Sequence, residues 1–129
     1  MNKVRYMYLR EPSGNPIGCL AISINRYACR LEYQVSVANP LDRKDWLSGK
    51  DLPFNKAMAR QLACGRLVED GLRLTMNPSA TMNEISMLVM RDLASFCRPM
   101  YRGDIPARAI KAAKHWLKSV NSQRGTQLA

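Results

Sequence analysis

An α+β domain, with an antiparallel sheet of three or four strands packed against about three helices, is the fold class this sequence predicts. Three observations predict it. Residues 31–37 alternate strictly between apolar and polar, a capped and almost wholly apolar helical stretch opens at Thr81, and the C-terminal region reads as a helix with one apolar and one basic face. The length of 129 residues suits one domain, since domains commonly hold roughly 100–150 residues. The sequence places this single domain over residues 1–121 and a flexible polar tail over 122–129.

The strands come first. Val4 to Leu9 (VRYMYL) is rich in β-forming residues. After the turn chemistry of Glu11–Pro16 (EPSGNP), the stretch Ile17–Ile24 puts Gly18, Leu20, Ile22 and Ile24 on one face of a second strand. Asn25–Ala28 (NRYA) is a second connection. In Leu31–Val37 (LEYQVSV) the odd positions are apolar or aromatic, the mark of a half-buried strand, so Tyr33 belongs to the core with Leu31, Val35 and Val37. Asn39 and Pro40 end this strand, because proline has no N–H for the ladder and restricts the residue before it. Three consecutive strands without a helix between them form a meander.

A mixed-charge loop around Trp46 follows, over residues 41–53. Asn55–Val68 has helix-forming composition, with Met58, Leu62 and Gly65 along one side and Asp70-Gly71 as its stop. Leu72–Met76 alternates and supplies a fourth short strand before Asn77-Pro78. Thr81-Met-Asn-Glu84 is a capping box, in which the threonine hydroxyl accepts from the Glu84 amide while Glu84 reaches back. The helix it opens is predicted to run to about Cys97 and to be central, because Met82, Ile85, Met87, Leu88, Val89, Met90, Leu93 and Phe96 leave it little polar surface. Arg98-Pro99 stops it. The last helix is predicted to start at Asp104 as N-cap with Pro106 in the first turn. At about 100° per residue, Ala109, Ile110, Ala112, Ala113, Trp116, Leu117 and Val120 gather on one face, and Arg108, Lys111, Lys114, His115 and Lys118 on the other.

Charge is the unusual quantity. Twenty Lys and Arg against ten Asp and Glu leave a net +10. Residues 98–129 hold seven basic groups and one acidic, so a quarter of the chain carries more than half of that excess. This excludes an acidic decoy and points to a polyanion partner. Ordinary amphipathic helices also have charged outer faces, and lysines near a helix C-terminus complement its dipole, which covers Lys118 and Lys114. Neither covers the missing acids at i±4 or Arg98 and Arg102 just upstream.

Other chemistry is poorly supported. The cysteines at 19, 29, 64 and 97 and the single histidine, His115, lack zinc-ligand spacing, so no metal or other cofactor is expected and the thiols read as reduced and buried. The ten acids form no cluster suited to Mg²⁺, and His115 stands among lysines without a carboxylate to orient it. No phosphate-cradling glycine loop occurs. The gap between the last two helices is too long for a helix-turn-helix, and Ile105-Pro106-Ala107 is a poor base-reading start. There is no run of 18 apolar residues and no signal-peptide pattern at the N-terminus, so the expected setting is cytoplasmic without membrane contact.

Three stretches, Val35–Asp42 (VSVANPLD), Phe54–Leu67 (FNKAMARQLACGRL) and Pro106–Lys118 (PARAIKAAKHWLK), resemble small basic proteins encoded by tailed bacteriophages. The resemblance implies action in a bacterial host cytoplasm, on nucleic acid or on a host protein, and brings no site residue with it. The resulting expectation is a non-enzymatic nucleic-acid-binding accessory protein, DNA and RNA being equally open. Its phosphate contacts are expected at Arg98, Arg102, Arg108, Lys111, Lys114 and Lys118. The alternative is an interaction module that binds an acidic surface of a polymerase, nuclease or other protein and modulates it.

Overall fold

The computed structural model describes residues 3–38, 54–96 and 105–128, with side chains as far as Val120. The proline stop at Asn39-Pro40, the loop around Trp46, the Asp104 cap and the connection holding Arg98 and Arg102 lie outside these residues.

The fold is α+β, with a four-stranded antiparallel sheet in the order β1-β2-β3-β4 and three helices. Strands β1 (Lys3–Arg10), β2 (Pro16–Asn25) and β3 (Arg30–Val37) form the meander, and β4 (Leu72–Thr75) adds to the outer edge of β3. Helix α1 (Lys56–Asp70) lies between β3 and β4 in sequence, followed by α2 (Met82–Ala94) and α3 (Ala107–Leu128).

Register converts the alternation of each strand into apolar rows across the sheet. Met7, Leu20 and Val35 form one row, Ile22, Tyr33 and Leu72 a second, and Ile24, Leu31 and Leu74 a third. These rows meet Ile85, Val89, Met90 and Leu93 of α2 and Ala109, Ile110 and Ala113 of α3 in the larger core. The Tyr33 hydroxyl, buried beneath α2, donates to the Asp92 carboxylate. On the opposite face of β2, Cys19 and Ala21 pack against Ala59, Ala63 and Leu67 of α1. Small residues on both sides let that helix lie close to the sheet. Gly18 serves a similar closeness within the sheet, since a Cβ there would stand 2.5 Å from the Ser36 carbonyl oxygen.

Strand β4 pairs with β3 only from Arg30 to Tyr33, so the rest of that edge needs other partners. They come from side chains. Gln34, fully buried under α1, accepts the Val35 amide with its Oε1 and donates Nε2 to the Asp70 carbonyl. Arg66 donates to the Val35 carbonyl at 2.7 Å. At the other end of the sheet, Arg26 donates to the carbonyls of Pro78 and Ala80, fastening the β2–β3 turn to the loop before α2.

Helix boundaries follow local chemistry with three departures from expectation. The Asn55 side chain caps α1 by accepting from the Met58 amide, but the side marked by Met58, Leu62 and Gly65 faces solvent. The small Ala59 and Ala63 face the sheet, because on β2 they meet residues equally small. The capping box at Thr81 and Glu84 is present, whereas α2 ends at Ala94 with Ser95 as C-cap, short of Cys97. Helix α3 continues to Leu128, past the end expected near residue 121. Polarity alone does not stop a helix, and no proline follows Pro106.

Two measurements test this packing. Thr81→Ala removes a cap seen on both sides of the box and is expected to cost about 1 kcal/mol in denaturant unfolding, within the usual range for lost caps. Burial pushes the Cys19 thiol from its ordinary 9.0 up to about 11, with the Arg60 charge opposing. The unfolded chain therefore releases that proton at lower pH than the folded one, and stability falls as pH rises from about 9 towards 11. Tyr33, raised by burial and by its bond to Asp92, adds to the alkaline loss in the same direction. A Cys19→Ala variant is expected to show a shallower decline in melting temperature over that window.

Candidate functional site

The basic residues of α3 form one wall of a groove of about 640 Å³, and the β1–β2 turn forms the other. Arg108, Lys111, Lys114, His115 and Lys118 line it from the helix, and Arg10, Glu11, Pro12 and Ser13 from the turn. The helix presents these side chains together because Ala109, Ile110, Ala112 and Ala113 are buried on its other side, with Trp116 and Leu117 packed at the margin of the core.

The turn is closed by its own hydrogen bonds. The Glu11 amide donates to the Asn15 carbonyl at 2.9 Å, and the Gly14 amide to the Glu11 carbonyl at 2.8 Å. Gly14 has φ +95°, a region that side-chain-bearing residues rarely enter. Arg10 bends back to donate to the Gly14 carbonyl at 2.9 Å.

Arg108 joins the two walls. Its Nη2 meets the Glu11 carboxylate at 3.1 Å, and its Nη1 donates to the Ala38 carbonyl at 2.9 Å. The carboxylate that the helix itself does not supply thus arrives from a residue 97 positions away. Nothing in the local sequence around Arg108 signals it, and Arg10 and Glu11 were not among the expected site residues for the same reason.

The expected site therefore divides. Lys111, Lys114 and Lys118 are exposed on the groove with no carboxylate in ion-pair contact among the described residues. Arg108 is in the same groove but is half-buried and engaged in holding it together. Arg98 and Arg102 lie outside the described residues. Helix length also removes the dipole reading for Lys118, because ten more helical residues follow it and the dipole's effect is confined to the last turn.

Groove electrostatics follow directly. Among the described residues, five cations line the groove with one carboxylate, and that carboxylate is already paired. Along α3, at 1.5 Å per residue, Lys111 to Lys118 span about 10 Å, over which one strand of a duplex presents about three phosphates. Among the described residues, no Phe, Tyr or Trp lines the groove. Tyr8 is instead packed edge-on against Phe54, at 6.2 Å between centroids, beneath Lys56, whose Nζ is 5.1 Å from the ring centre. Tyr33 is in the core.

Among the described residues, no group of three or more His, Cys, Asp or Glu side chains is placed to hold a metal ion. Cys19, Cys29 and Cys64 are free thiols. No described helix is long and apolar enough to cross a membrane. No protein-family model, curated protein or solved structure matches the chain.

Stability separates the two kinds of cation. Arg108→Gln, which removes a hydrogen bond to a carbonyl and one to a carboxylate, is expected to cost about 1 kcal/mol in urea unfolding, at the lower end for two such bonds because the pair is half exposed. Lys111→Gln is expected to stay within about 0.5 kcal/mol of the parent, as for surface changes away from specific contacts.

Proposed function

We propose that the protein is a non-enzymatic nucleic-acid-binding accessory protein and that the groove between α3 and the β1–β2 turn receives a phosphate backbone. The observation that carries this reading is the row Lys111, Lys114 and Lys118, exposed along one side of a groove in which the one carboxylate among the described lining residues, Glu11, is paired with Arg108. Three ammonium groups held close together repel one another, and a polyanion relieves that repulsion while releasing its own condensed counterions. Arg108 acts here as the residue that sets the groove's width. Arg98 and Arg102 stand just before α3 in the sequence and are proposed as further phosphate contacts on the sequence argument alone.

Such contacts carry no direct information about base sequence, so binding is expected to be similar for unrelated sequences of the same form. Replacing Lys111, Lys114 and Lys118 with Gln keeps helix propensity nearly constant and leaves the apolar face untouched. The triple variant is expected to melt like the parent and to lose affinity for DNA or RNA. The slope of log affinity against log salt is expected to become shallower by about 2–3, given about 0.7–0.9 per phosphate contact. Binding to both nucleic acids weaker than about 1 mM at low salt would overturn the proposal and favour an acidic protein surface as the occupant.

A further inference from the structure

Helix α1 lies over β2 and β3, so it only borders the part of that sheet face made by β1. Register puts Val4, Tyr6 and Tyr8 there, opposite Ser23, Ala21 and Cys19. Val4 and Tyr8 pack against the edge of α1, and Tyr6 between them is exposed. Lys56, Arg60 and Cys64, each four residues apart, share one side of the helix, the side next to this strand. The Lys56 ammonium is over the Tyr8 ring. The Tyr6 phenol is held above its ordinary 10.0, first by desolvation and then by the neighbouring Cys64 thiol, with Arg60 opposing. Its hydroxyl end is therefore turned toward α1, and ring surface is left to solvent.

Charge beside this ring identifies the ligand. Lys56 and Arg60 are exposed and have no carboxylate in ion-pair contact among the described residues. The acids of α1 begin at Glu69, nine residues beyond Arg60 and about 14 Å along the helix. An exposed aromatic ring flanked by cations suits a ligand that has both a flat π-face and negative charge, and an unpaired nucleotide has both. A duplex has the charge but keeps its bases stacked inside. We propose that Tyr6 receives an unpaired base of a single-stranded nucleic acid, with Lys56 and Arg60 on the adjoining phosphates. The proposal rests on the nucleic-acid reading of the groove and extends it to single strands. Arg10, a groove residue, is four positions from Tyr6 on β1, about 13 Å away, so one strand can meet both surfaces.

Fluorescence anisotropy with the full chain compares labelled oligothymidylate, oligouridylate, an abasic strand of equal length and a duplex. Tyr6→Val, which keeps strand propensity, is expected to lower affinity for the two base-bearing single strands about ten-fold. Its affinities for the abasic strand and the duplex are expected to stay at the parent values, which also shows the variant to be folded. Tyr6→Phe is expected to bind like the parent, because stacking needs the ring and not the hydroxyl. Lys56→Gln with Arg60→Gln is expected to make the single-strand salt slope shallower by about 1.4, at about 0.7 per phosphate. An unchanged single-strand affinity with Tyr6→Val, or an equal loss for the abasic strand, overturns the proposal and leaves the groove reading standing where the duplex still binds. A ten-fold loss that persists alongside Lys111→Gln, Lys114→Gln and Lys118→Gln supports the Tyr6 site separately from the groove. Binding of none of the four probes overturns both readings.

Discussion

The structure depends on the alternation of small and large residues along β2. This strand is covered on both faces, so each of its side chains decides what packs above or below it. Leu20 and Ile22 demand a deep apolar layer, and α2 and α3 supply one. Cys19 and Ala21 leave room only for a helix with an equally flat inner side, and the alanines of α1 provide that. A larger residue at Cys19 or Ala21 would force α1 outward and strain the Gln34 and Arg66 contacts that complete the edge of β3. The same strand therefore determines which helix becomes the groove wall and which presents its large side chains to water.

The excess of positive charge is divided by residue type. Among the described residues, the arginines at 10, 26, 66 and 108 donate to backbone carbonyls, each closing a turn or joining segments distant in sequence. The lysines of α3 make no such contacts and extend into solvent. A planar guanidinium with five donors suits carbonyls presented at fixed angles, whereas a flexible ammonium suits a mobile anion. Part of the net charge is thus structural, and counting charge alone overstates what is available to a partner.

Much of the fold was legible in sequence because it rests on short-range patterns. The alternation at Leu31–Val37 gave the core face of β3, and the box at Thr81 and Glu84 marked the start of α2, since both depend on neighbours within a few residues. The inner face of α1 was not legible, because the preference for Ala59 over Met58 arises from residues on β2, about forty positions earlier. The lysine row was legible as a helical face, but the groove was not. Its second wall, and the carboxylate that engages Arg108, come from the opposite end of the chain.

That separation has a consequence for the order of assembly. The meander closes through short loops, with β1 to β3 all within the first 37 residues, whereas the bridge from Glu11 to Arg108 joins segments 97 positions apart. Closing so long a loop costs entropy that only the contacts of the finished molecule return, so the sheet can form early and the groove arises last. A nascent or partly unfolded chain has all the lysines and none of the concavity. Groove occupancy would then report completed folding, and a ligand seated there would hold the two ends of the chain together against unravelling.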